Sequence, residues 1–146
     1  MRKINYIVVH CSATREGCTL TSEALEAEHR RRGFRTTGYH YYIRRDGTVL
    51  GTRSLELPGA HCRGHNKYSI GICYEGGLDA WGNPKDTRTP EQRSALHLLV
   101  HQLLQQFRNA RVCGHRDLSP DLDGDGTVEP WEWVKQCPCF EVSKEF

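Results

Sequence analysis

The chain has no apolar run long enough to cross a bilayer. It also has no small-residue cleavage pattern behind its opening Met1-Arg2-Lys3-Ile4-Asn5-Tyr6. Membrane insertion is therefore not expected, nor is a secretory leader, and the chain is expected to be made in the cytoplasm. Low-complexity tracts and internal repeats are missing too, which excludes linker-like disorder and solenoid architectures. Nor is there an excess of one charge: 20 Lys and Arg stand against 18 Asp and Glu, a formal +2, and only Arg30-Arg31-Arg32 clusters. Nucleic acid is accordingly not an expected partner. Cysteine, by contrast, is plentiful. Seven Cys are an odd number, and without a leader they argue against a full disulfide framework and for buried thiols or metal ligands.

The 146 residues suit one domain, 1–146, expected to be monomeric. Ile4 to His10 is a β-branched apolar run of strand length, so His10 falls at the C-terminal end of a buried strand. A lone histidine there is more often a hydrogen-bonded core residue than a ligand. Thr21 to Arg32 carries acids early and bases late with Gly33 to stop it, the pattern of a helix. Gly38 to Leu50 predicts a hairpin around Asp46-Gly47, with Tyr39, Tyr41 and Ile43 on one face and His40 and Tyr42 on the other. Leu57 to Asn66 is a loop, and Ser69 to Tyr74 is a strand that ends at Glu75.

Thr89-Pro90-Glu91-Gln92 opens the clearest amphipathic helix, whose apolar residues from Leu96 to Phe107 recur at i, i+3, i+4 spacing. A short strand over Asn109 to Cys113 then leads to His115. Strands alternating with helices predict an α/β domain with a central mixed β-sheet flanked by helices. His10, Glu75 and His115 gather at strand ends, where open sheets bind ligands.

Two such histidines and a downstream cysteine are ligand types that zinc accepts, although separations this long make no regular spacing motif. The motifs Val8-Val9-His10-Cys11-Ser12-Ala13-Thr14, Gly38-Tyr39-His40, His61-Cys62-Arg63-Gly64-His65-Asn66, Ser69-Ile70-Gly71-Ile72, Gly114-His115 and Lys135-Gln136-Cys137-Pro138 occur in that order. Together they resemble the zinc-dependent N-acetylmuramoyl-L-alanine amidases of the phage lysozyme type, whose fold peptidoglycan-recognition proteins share. The resemblance implies zinc held by His10, His115 and Cys137, with Tyr39 and Lys135 as catalytic side chains. It further implies peptidoglycan as substrate, cut at the amide between N-acetylmuramic acid and L-alanine, so that the protein acts on the cell wall. His61 and Asn66 are expected to line the substrate groove. Cys139 stands as the alternative ligand to Cys137, and Glu75 as the alternative to Tyr39 in handling the proton. A non-catalytic peptidoglycan-binding module on the same fold is the alternative to an enzyme.

One segment departs from that family pattern. Residues 121–132 match the calcium-loop signature D-x-[DN]-x-[DN]-G-x₅-E, with Asp121, Asp123 and Asp125 at positions one, three and five. The Thr127 carbonyl falls at position seven and Glu132 at twelve, and a short helix is expected to follow through Trp131 and Val134. Calcium is the expected ion, against a solvated Asp/Gly turn as the alternative.

Overall fold

The computed structural model describes residues 2–146. Its framework is a five-stranded mixed sheet. β1 (Tyr6–Cys11) lies between β5 (Ser69–Tyr74) and the edge strand β7 (Arg111–Gly114), parallel to both. β3 (Tyr41–Ile43) runs parallel to β5, and β4 (Val49–Gly51) closes the edge antiparallel to β3. Two very short strands, β2 (Thr14–Arg15) and β6 (Gly77–Leu78), pair parallel beside the sheet.

β1 and β5 are largely apolar, with His10 and Ser69 as their buried polar residues, because both sheet faces are covered. On one face Ile7, Val9, Ile70 and Ile72 pack against Leu96, Leu99, Val100 and Leu103 of α2 (Pro90–Gln106). On the other, Tyr42 and Cys73 meet Leu25 of α1 (Ser22–Arg31), with Leu20 and Tyr39 at the margin. Alternation along β1 thus sends Ile7 and Val9 to the α2 side, and His10 to the α1 side near the strand's C-terminal end.

Local signals account for the helices. Thr21 caps α1 by accepting from the Ala24 N–H, and Thr89 and Gln92 form a reciprocal capping box on α2. The C-terminal segment is tied back over α2's start. There the buried Arg88 guanidinium bonds Asp86 and Glu145 and lies 3.3 Å from the Phe140 ring centroid.

Two local expectations need correcting. Tyr39 packs with Tyr42 on the α1 side and not with Tyr41 and Ile43. Residues 38–40 are bends that precede β3, so the pleat's alternation begins only at Tyr41. The helix expected after the acidic loop is a single 3-10 turn, Pro130–Glu132, because the backbone is extended again at Trp133.

Candidate active site

Three chain segments meet at the C-terminal end of β1. His10 arrives on the strand, 1% exposed. His115 opens a 3-10 turn, His115–Leu118, directly after β7, and that turn is fixed by the Gly114 N–H donating to Asp117 Oδ2 at 2.7 Å. Cys137 comes from the loop beyond, held where the Arg116 N–H donates to the Cys137 carbonyl at 2.9 Å. The ring centroids of His10 and His115 are 4.6 Å apart. One ligand atom from each of His10, His115 and Cys137 lies within 4.8 Å of the others, a set able to close on one metal ion.

The surroundings suit ligation. Burial, followed by neighbouring His61, His115 and Lys135, holds the His10 imidazole well below its ordinary pKa, so it is neutral at pH 7 as a ligand must be. The Cys11 backbone N–H donates to Cys137 Sγ at 3.2 Å. Its neighbours stay protonated: the hydrogen bond with Cys137 pushes the Cys11 thiol up to about 12, and Cys11 in turn raises Cys139. Cys139 Sγ sits 3.9 Å from Cys11 Sγ and is not part of the histidine cluster, so of the two cysteines Cys137 is the one the fold brings to His10 and His115.

Tyr39 lies beside this cluster, its ring centroid 5.0 Å from that of His10. Burial raises its pKa well above the phenol range, so the hydroxyl keeps its proton and acts as a donor. The exposed Lys135 stands where a cleft of ≈ 270 Å³ over His10, Tyr39 and Cys137 meets two grooves. One groove runs past Arg63 and Pro120, the other past Arg32 and Phe34, and both include His115. An extended ligand laid through them would cross the cluster.

Glu75 takes no part. Its Oε1 accepts from Arg44 Nε at 2.8 Å and from the Arg45 N–H at 2.9 Å, and its Oε2 from the Leu20 N–H at 2.7 Å. The carboxylate is 1% exposed and is held below its ordinary pKa by these partners against the opposing effect of burial. It is a fixed cross-tie between β5, β3 and the approach to α1.

The two expected groove residues both line the groove near Phe34, and His61 also lines the cleft. Asn66 lines the groove near Phe34, but its Oδ1 accepts from the His61 and Cys62 N–H groups at 2.9 and 3.0 Å, so it shapes the loop. His61 is 9% exposed and bonded to His10, with Nδ1 2.8 Å from His10 Nε2. Its sequence neighbourhood gave no sign of that bond, which joins residues 51 positions apart. The His97 and His101 pair on α2 belongs to no such cluster: His97 bonds Glu145 and His101 bonds Gln105.

In the acidic loop, ligand atoms of Asp121, Asp123, Glu129 and Glu132 converge within 4.8 Å. Asp125, expected among them, is not one of the converging set; it accepts from the Thr127 N–H at 2.9 Å and lies against Glu129. Glu129 takes its place, and its position nine of the loop pattern is the signal that identifies it. Glu132 Oε1 accepts from the Glu129 N–H at 2.8 Å, and its Oε2 from the Leu122 and Asp123 N–H groups. Crowding by Asp125 and Glu132 pushes the Glu129 carboxyl up to about 8, and its Oε2 is buried without a hydrogen-bond partner.

The profile of a family described as N-acetylmuramoyl-L-alanine amidase matches residues 1–138. The endolysin of Enterobacteria phage K11 is 36% identical over 136 residues, covering 93% of this chain and 81% of that protein. Among solved structures, the N-acetylmuramoyl-L-alanine amidase LysC from Clostridium intestinale superposes with a TM-score of 0.75 at 26% identity, over 99% of this chain and 82% of that one. Bumblebee PGRP-SA, at 22% identity and a TM-score of 0.73 over 99% and 80%, shares the fold.

Proposed function

This chain belongs to the N-acetylmuramoyl-L-alanine amidase family, and from that premise we propose that it hydrolyses the amide joining N-acetylmuramic acid to L-alanine in peptidoglycan, at a zinc centre. The observation that carries the reading is the convergence of His10, His115 and Cys137 beside Tyr39 and Lys135. Two imidazoles and a thiol with an N–H donor aimed at its sulfur are a zinc donor set. Zn–N of about 2.0 Å and Zn–S of about 2.3 Å put such ligand atoms up to roughly 4 Å apart, in keeping with the spread within 4.8 Å. Bound there, zinc supplies Lewis-acid polarisation and makes a hydroxide nucleophile accessible near neutral pH.

The chain's own residues do the rest. The two grooves position the glycan and peptide arms so that the amide carbonyl sits over the cleft. Lys135 brings a positive charge to the cleft mouth, where negative charge develops on that carbonyl oxygen. Tyr39 donates its hydroxyl proton as a hydrogen bond toward the attacking or the developing oxygen, since its raised pKa keeps it from acting as a phenolate. Glu75, with both oxygens engaged, is not the proton acceptor. The protein works as a monomer on the cell wall. The acidic loop takes a hard cation such as calcium through Asp121, Asp123, Glu129 and Glu132, and so stiffens the connection that delivers Lys135 and Cys137.

Digestion of purified peptidoglycan tests the reading. Wild type should release peptides with free L-alanine amino ends, and both Cys137→Ser and removal of zinc by a chelator should abolish release. Binding to peptidoglycan without such products would establish a binding module instead.

A further inference from the structure

The His61 side chain is built into the protein more tightly than a groove-lining residue needs to be. Both ring nitrogens are engaged: Nδ1 lies 2.8 Å from His10 Nε2, and Nε2 lies 3.1 Å from Ser69 Oγ. Ser69 is fully buried, so neither nitrogen is available to a ligand in the groove. The ring also occupies a slot made by two glycines. A Cβ at position 59 would stand 2.4 Å from His61 Cδ2, and one at position 71 would stand 2.7 Å from its Cγ. The backbone before and after the ring is pinned by Asn66 Oδ1, which accepts from the His61 and Cys62 N–H groups.

Each contact can run in either direction, and one of the two directions suits a metal ligand. A neutral imidazole has one N–H and one acceptor nitrogen. If His61 Nε2–H donates to Ser69, its Nδ1 is the acceptor, and His10 must carry its proton on Nε2. That leaves His10 Nδ1 as the bare nitrogen, free for a metal shared with His115 and Cys137. A metal-ligating histidine whose other nitrogen is held in this way has its tautomer and ring angle fixed in advance.

We propose that His61 is a positioning residue of the metal centre, which orients His10 and sets its tautomer through the Ser69–His61–His10 chain. The proposal rests on the zinc reading above. It replaces a role for His61 in touching substrate.

The test uses the purified full chain, stripped of metal and titrated with zinc against a chromogenic chelator. His61→Leu and His61→Asn leave similar space, but only Asn offers an oxygen near the place of Nδ1. His61→Leu should weaken zinc binding about 10- to 100-fold, while His61→Asn stays within about threefold of wild type. Equal zinc affinity in wild type and both variants would overturn the proposal and leave the zinc reading standing, whereas a folded wild type that takes up no zinc would overturn both. Should the variants not fold, nitrogen-15 histidine spectra of wild type decide: a proton on His10 Nε2, with scalar coupling to a bare His61 Nδ1, is expected. A proton on His10 Nδ1 overturns the proposal.

Discussion

A carboxylate with both oxygens already bonded cannot accept a proton without giving up a partner, and that separates Glu75 from Tyr39. Glu75→Gln places an amide N–H₂ against the Leu20 N–H or the Arg44 guanidinium. A loss of about 1–3 kcal/mol is expected, seen as a lower melting temperature with amide hydrolysis retained at a temperature where the variant is folded. Tyr39→Phe should do the reverse, melting near wild type while kcat falls on the order of 10²- to 10³-fold; full activity in Tyr39→Phe would remove the tyrosine from the mechanism. At this scale the residue types were legible in the sequence and their partners were not. Nothing local to His61 shows that it bonds His10, and nothing in Ser69-Ile70-Gly71 shows that position 71 must be bare to admit an imidazole.

Among the elements, the acidic loop carries the sharpest expectation. Its carboxylates lean on one another and on loop N–H groups, and Glu129 Oε2 is buried without a partner. A hard cation would relieve that crowding. Calcium should therefore raise the melting temperature of wild type and leave that of Asp123→Ala nearly unmoved, in thermal scans with calcium and with a calcium chelator. Identical wild-type curves in the two solutions would dismiss the cation. The loop was legible because its aspartates recur at fixed offsets. The capping box on α2 and the β5 strand were legible for the same reason, since both signals are contained in a few neighbouring residues. The side on which Tyr39 packs was not, because a strand pattern was extended over residues that bend.

For the molecule as a whole, buried neutral histidines set a pH dependence. Burial takes His40 down to about 4 and His61 down to about 3, against an ordinary value of about 6.5 in the unfolded chain. Between those limits the unfolded chain binds more protons than the folded one, so stability falls as pH falls from about 6.5 toward 4. Metal-free protein should show a lower urea midpoint at pH 5 than at pH 7.5, and an equal or higher midpoint at pH 5 would contradict the buried neutral state. The fold class was legible at this scale from alternating strands and helices. The meeting of His10 with His115 and Cys137 was legible only through the family resemblance, since it depends on β1 pairing with β7, and strand order is written in crossovers that no local pattern reports.

That pairing has a consequence for how the protein comes into being. Of the three candidate ligands His10 is synthesised first and Cys137 last, and β1 has to wait for both parallel neighbours before its own edges are covered. A growing chain on the ribosome therefore carries His10 through the synthesis of everything up to His115 before either of the other two candidate ligands exists. The cluster can close only once residues 10–137 have all been made, so under the amidase reading the capacity to cut should arrive in one step, after Cys137 has emerged, and not build up along the way.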